Sequence, residues 1–201
     1  MVANSVQRKR GRPRLFDEET VLSQAIELFS SSGYSAIGIN DLTRTTGVTV
    51  GSLYKAYQDK ESLFAKALER YIALREARIS ATLAQAENGR ARLSALLHIY
   101  VELSQGKEGK LGCLMVAGIA EIPKFAFAGD ILREQLLRRR KLLSDLVEQG
   151  QRDGSVTTSS SPQAVADVLL TLLYGMRVIG KAEAFTNDAA SFVSLALKVL
   201  D

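Results

Sequence analysis

The sequence predicts an all-α protein in two parts: an N-terminal three-helix head containing a helix-turn-helix, joined by a long helix to a C-terminal helical body. Two observations carry this. Between Gly33 and Phe64 a short apolar-faced helix, a glycine-closed turn and a second short helix follow without a gap. Elsewhere apolar residues return every three or four positions, as in Leu93, Leu96, Leu97, Tyr100 and Leu103, which is the spacing of one helix face. The chain has 201 residues with 46% hydrophobic content, enough for one medium domain or two small ones sharing a core.

Residues 1–14 lack periodicity and read as a flexible arm. Five of the 26 basic residues and none of the 22 acidic ones lie there, so the basic excess belongs to the arm and not to the body. Arg10, Arg12 and Arg14 around a glycine and a proline make an extended strip suited to a narrow minor groove, or else a solvated basic tail. Asp17 caps a first helix whose stripe is Val21, Ala25, Ile26, Leu28 and Phe29, and Gly33 ends it. Ile39, Leu42 and Thr43 mark the second helix, which Gly47 closes in a left-handed cap. Val48 plugs the angle, Thr49 is an N-cap, and Val50 to Tyr57 form the third helix, with Leu53 and Tyr57 turned to the core. Gly51 costs about 1 kcal/mol in a helix relative to alanine, so its presence points to a surface needing close approach, such as a DNA groove.

Asp59 caps a fourth helix running towards Ala86, with Leu63, Phe64, Ala67, Leu68, Tyr71 and Leu74 at helical spacing. Lys60 stands in its first turn, where the helix dipole disfavours a cation; a phosphate would explain it, and so would plain solvation. Asn88-Gly89 breaks the chain, dividing a head of residues 15–86, linking helix included, from a body of residues 87–201. In the body, His98 lies off the fifth helix's stripe, Gln105 to Gly112 reads as a polar loop, and Cys113 opens an apolar helix ending near Ile122-Pro123. Phe125 and Phe127 follow. Asp130 to Gln151 is strongly amphipathic, and its basic run of Arg133, Arg138, Arg139, Arg140 and Lys141 reads as a solvated face, with DNA contact a poor second. A Ser/Thr-rich linker ends at Ser161, which caps a helix begun by Pro162. That helix, from Ala164 to Gly180, and another from about Asn187 to Leu200 have too little polar face for one neighbour to cover; a partner subunit is the simplest cover.

Several chemistries are excluded or disfavoured. One cysteine rules out an internal disulfide and suits a reducing cytosol. Neither a signal peptide nor an apolar run of bilayer length is visible; Leu169 to Gly180 is short and carries Arg177. One histidine and one cysteine far apart give no zinc spacing, and there is no glycine-rich phosphate loop, so no metal, no cofactor and no enzyme activity are expected. A His98–Cys113 pair would lack a third, orienting group.

The stretch Gly33 to Phe64 resembles the DNA-binding domain of the TetR/AcrR family of bacterial transcription regulators. Gly33-Tyr34, Ile39, Leu42, Gly47-Val48-Thr49, Gly51-Ser52-Leu53-Tyr54, Tyr57, Lys60-Glu61 and Leu63 carry the likeness. The resemblance implies that Thr49, Val50, Gly51 and Ser52 lie in the major groove, that Tyr54 and Lys60 touch phosphates, and that Lys55 meets a base or a phosphate. Hydroxyls and an ammonium suit phosphate oxygens, and Val50 suits a thymine methyl. Two departures stand out. Ile37-Gly38 replaces the family's usual hydroxyl pair, and Ala56 stands where histidine is frequent.

The resemblance further implies a cytoplasmic homodimer packed through helices around 162–181 and 187–200, a palindromic operator in double-stranded DNA, and a small-molecule effector that releases a repressor. Tyr100, Cys113, Met115, Ile119, Phe125, Phe127, Tyr174, Met176 and Arg177 would line a mostly apolar effector pocket. At a helix start Cys113 could be a reactive thiolate open to an electrophile or oxidant, or a small buried hydrophobe. The competing reading is an architectural DNA-binding protein that senses nothing.

Overall fold

A computed structural model of the chain describes residues 16–186 and 188–201; the arm with Arg10, Arg12 and Arg14, and the expected start at Asn187, lie outside them. Ten α-helices follow one another, and no strand occurs among the described residues: α1 (Glu18–Ser32), α2 (Ile39–Thr46), α3 (Val50–Tyr57), α4 (Lys60–Leu83), α5 (Gly89–Leu103), α6 (Gly106–Leu111), α7 (Leu114–Ile119), α8 (Ala128–Asp153), α9 (Pro162–Lys181) and α10 (Ala189–Ala196). Short 3₁₀ turns cover Ile122–Lys124 and Leu197–Leu200. The fold is all-α, with the helix-turn-helix head joined through long α4 to a helical body, as the sequence predicts.

The helix ends form where the local chemistry calls for them. Asp17 accepts from the Glu19 and Thr20 amides, Thr49 from Ser52, Asp59 from Ser62 and Ser161 from Ala164. Gly47 takes the left-handed conformation (φ 67°) and returns its N–H to Thr43 O. Gly38 has no side chain to cap α2, and Asp41 compensates by accepting the Gly38 N–H at 2.9 Å.

Two buried clusters organise the interior. One joins α1 to α4 through Phe29, Leu42, Leu53, Phe64 and Leu68, and it extends into Cys113, Leu114, Met115, Ala128 and Leu132 of the body. The other unites α5, α8, α9 and α10 around Leu93, Leu96, Leu97, Leu143, Leu169, Leu173 and Val193. Tyr71 belongs to the first cluster and Ile79 and Leu83 to the second, so α4 crosses from one to the other.

Five expectations need correction. The segment 105–112 is not a loop: it winds into α6, because Gly109 and Gly180 both lie flush against the Ser104 carbonyl. Leu74 is 56% exposed, since α4 turns that face to solvent beyond Tyr71. Arg139 is 3% exposed and does not belong to a solvated face; it shares the inner stripe of α8 with Leu132, Gln135 and Leu143. The last helix is shorter than expected, capped by Asp188 and tightening into a 3₁₀ turn after Ala196. Finally, the 20 residues of α9 are long and apolar enough to match a membrane span, with mean hydropathy 1.3, contrary to the sequence reading. Val165, Ala166, Leu169, Leu173 and Met176 nevertheless pack in the second cluster, and Arg177 is buried with them.

The backbone contact at Gly180 is a direct target. A Cβ there would fall 2.3 Å from Ser104 O, on main chain that cannot swing aside. Gly180→Ala should lower unfolding stability by about 1 to 3 kcal/mol in urea denaturation, with an unchanged m-value.

Candidate nucleic-acid interface and sensing cavity

The face of α3 opposite Leu53 and Tyr57 is open. Val50 is 38% and Tyr54 44% exposed, and Gly51, Lys55 and Ala56 are exposed beside them. A Cβ at Gly51 would meet nothing within 4 Å, so internal packing does not account for this glycine. Thr49 Oγ1 accepts the Ser52 N–H at 3.3 Å and lies 3.0 Å from Ser52 Oγ, which holds the first turn of α3 in shape. Thr49 to Ser52, Tyr54 and Lys55 therefore share one presentable surface.

Lys60 is placed differently from either sequence reading. Its ammonium stands over the Tyr34 ring, 4.1 Å from the centroid, and partial burial lowers its pKa while the Glu121 charge opposes that. The lysine is thus anchored beside the head, at the edge of its seam with the body.

Two carboxylates cross that seam in opposite directions. Glu121, after α7, accepts from the Tyr34 and Ser35 amides (2.9 and 3.2 Å), from the Ser35 hydroxyl and from Lys124 (3.1 Å). Burial pushes its carboxyl up, but the Ser35 and Lys124 hydrogen bonds outweigh burial and bring it down to about 2. Glu61, in the first turn of α4, accepts from the Ala126, Phe127 and Ala128 amides at 2.7 to 3.1 Å and so covers the start of α8. Between them Phe125 stacks on Phe64 at 4.9 Å and meets Tyr34 edge-on at 4.7 Å. Lys181 of α9 donates to the Ser30 and Ser31 carbonyls at the end of α1.

Behind the seam a small cavity of ≈ 30 Å³ opens between α4, α5, α7, α8 and α9. Of the expected pocket residues it brings together Tyr100, Cys113, Met115, Tyr174 and Arg177. Ile119, Phe125, Phe127 and Met176 do not line it. Ile119 and Phe125 pack into the head cluster, Met176 packs into the body cluster, and Phe127 is 44% exposed. Sequence reasoning missed Tyr71, Arg75, Glu76, Gln135 and Arg139. The signal for the last two was in α8, where Gln135 and Arg139 fall three and seven residues after Leu132 on the apolar stripe.

The cavity wall is largely apolar, with several polar side chains set into it. Tyr71 Oη donates to Cys113 Sγ at 3.4 Å, Arg75 reaches Glu108 at 2.9 Å, and Glu76 accepts from both Gln135 and Arg139. Arg177 Nη2 donates to Gly112 O at 2.6 Å, just ahead of Cys113 and α7. Burial pushes the Tyr71, Tyr100 and Tyr174 phenols further above their ordinary range, which already keeps them protonated at neutral pH. His98 is elsewhere, with Nδ1 2.9 Å from Ser94 O, so no thiol-imidazole pair forms.

Comparisons with known proteins agree with this layout. Residues 21–67 match the family model "Bacterial regulatory proteins, tetR family". The chain is 27% identical over 198 residues to the HTH-type transcriptional repressor ComR of Escherichia coli (strain K12), covering 96% of this chain and 93% of that protein. It is 27% identical over 169 residues to the repressor NemR of the same strain, covering 81% and 83%. Among solved structures it is similar to a cysteine-substituted TetR family transcriptional regulator, CifR, complexed with 26 base pairs of double-strand operator DNA. The TM-score is 0.80 at 26% identity, covering 94% of this chain and 98% of that one.

The Glu121 latch carries a pH signature. Its folded pKa lies below the usual value near 4.5, so its stabilisation is complete above about pH 5 and fades as pH falls from 4.5 towards 2. Glu121→Gln should cost about 1 to 3 kcal/mol of stability at pH 7. The gap between native and variant, followed by denaturation at each pH, should close below pH 4.5.

Proposed function

We propose that this chain, which belongs to the TetR/AcrR family of bacterial transcriptional regulators, is a cytoplasmic, ligand-responsive repressor that binds a palindromic operator as a homodimer. Residues 15–86 serve as the DNA-binding head and residues 87–201 as the sensing and dimerising body. The observation that carries the reading is the seam: the exposed α3 face and the buried cavity sit on opposite sides of one set of carboxylate, aromatic and lysine contacts.

In this reading Val50 and Gly51 face bases, while Thr49, Ser52, Tyr54 and Lys55 hold phosphates or base edges. Lys60 adds a phosphate contact from its place over Tyr34, and Arg10, Arg12 and Arg14 add the minor-groove grip expected of a basic arm. The effector acts in the cavity around Tyr100, Cys113, Met115, Tyr174 and Arg177. Of the other expected pocket residues, Ile119 and Phe125 belong to the transmission seam. α7 begins at the cavity and ends two residues before Glu121, so a displaced α7 shifts the head's grip on Ser35. A coupling of about 1 to 3 kcal/mol between effector and DNA is the usual scale. Cys113 is a second point of entry. In this reading the Cys113 thiol, buried and accepting from Tyr71 Oη at 3.4 Å, adds to an electrophile and moves α7.

The dimer rests on α9 and α10, where Val168, Val178, Ile179 and Leu195 are between 47% and 65% exposed. A two-fold pair sets two α3 helices about 34 to 36 Å apart, one helical turn of DNA.

Selection from random duplex DNA at physiological salt should enrich an inverted repeat with half-sites about one turn apart. Binding without sequence preference that collapses steeply with salt would instead mark an architectural protein. The double variant Val168→Lys, Leu195→Lys should sediment as a monomer and lose operator affinity by at least about a hundredfold in fluorescence anisotropy.

A further inference from the structure

Arg139 and Arg177 are 3% and 1% exposed, and both line the cavity. Each spends only Nη2 on a protein partner: Arg139 on Glu76, and Arg177 on the Gly112 and Glu108 carbonyls. Nε and Nη1 of both find no partner among the described residues. A buried donor left unmatched is expensive, and a guanidinium cannot relieve the strain by losing its proton. Charge is unmatched as well. Three guanidiniums, Arg75, Arg139 and Arg177, gather at the cavity, with Glu76 on its wall and Glu108 paired to Arg75 as the carboxylates beside them. The remaining wall is phenolic and apolar, with Tyr71, Tyr100 and Tyr174 beside Ile72, Ile79 and Leu103.

We propose that the cavity binds the carboxylate group of a small, apolar organic monoanion, held by the free Nε and Nη1 donors of Arg139 and Arg177. The inference rests on the repressor reading above and names the ligand class of its sensing site. A space of ≈ 30 Å³ holds one or two waters, which suits a carboxylate head and brings both guanidiniums within reach of it. The ligand's apolar part leaves through the α4–α8 side, where Ile72, Glu76 and Gln135 also border a surface groove of ≈ 370 Å³. Glu76 borders both spaces: its side chain is 43% exposed, and its carboxylate, which accepts from Arg139 Nη2 and Gln135, sets a negative charge against an incoming anion. The Tyr100 and Tyr174 phenols on the same wall supply further donors. An anion drawing Arg177 away from Gly112 O releases the start of α7, which leads to Glu121.

The test is a thermal-shift and calorimetric titration of the full-length protein with the straight-chain monocarboxylates from acetate to octanoate and with benzoate. Each is paired with its neutral amide, and anisotropy on the selected operator is followed in parallel. Carboxylates should raise the melting temperature with the logarithm of concentration above their Kd, while the matched amides do not. Glu76→Gln, which removes that negative charge, should tighten binding on the order of tenfold. Arg139→Gln should abolish it, and Arg139→Lys, which keeps the charge and loses the fork, should weaken it without loss of fold. Equal response to acids and amides, or no response to any acid in both native and Glu76→Gln protein, overturns the inference. Carboxylate binding that leaves operator binding unchanged supports the site and sinks the sensing role. Release of DNA by N-ethylmaleimide that Cys113→Ser abolishes, with no carboxylate response, keeps the repressor reading and overturns the anion site.

Discussion

The structure depends on an exchange of carboxylates across one seam. Glu121 reaches from the body into the α1–α2 loop of the head, and Glu61 reaches from the head to the first amides of α8. Each satisfies main-chain N–H groups that would otherwise be stranded, since a helix start and a tight loop both present donors without internal acceptors. Neither element is complete alone. The head's loop at Tyr34 and Ser35 is finished by a residue some 86 positions later, and the long α8 is started by a side chain from α4. Phe64 and Phe125 stack between the two carboxylates, at 4.9 Å between ring centroids, and add an apolar contact to the same seam.

That arrangement also explains which parts of the protein were legible in the sequence. Caps at Asp17, Thr49, Asp59 and Ser161 and the turn at Gly47 depend on neighbours three or four residues away, so their chemistry is written locally. The α3 face was legible for the same reason. Glu121 was not, because nothing near it in sequence announces that its partner is Ser35. α6 was hidden in a polar, glycine-rich stretch that looks like a loop until Gly109 is seen pressed on Ser104. Ile119, Phe125 and Met176 were read as pocket residues and do not line the cavity, because an apolar residue type says only that a side chain turns inward. Which of several interior surfaces it meets is settled by how the helices pack.

Arg139 shows the limit most clearly. Within a run of four basic residues it reads as one more solvated charge, yet helix geometry turns it inward while Arg138 and Lys141 stay outside with Glu134 and Asp145. Position on the helix, and not residue type, decided its environment. The result is a guanidinium in the same cavity wall as three phenols, with Nη2 on a shared carboxylate and its other donors unpaired where that weighs heavily.

The glycine contacts of the body set a mechanical division of labour. Gly109 and Gly180 meet Ser104 main chain to main chain, and Gly89 lies against Gly150 in the same way, leaving no flexible side chain to act as a bearing between these helices. Such joints behave as welds, resisting sliding as well as separation. α7 lacks them: at Gly118 the near atoms are the Leu132 methyls and the tip of the Phe64 ring, which can rotate. The six-residue α7 is thus held at Gly118 by side chains alone, where the other joints of the body meet main chain to main chain.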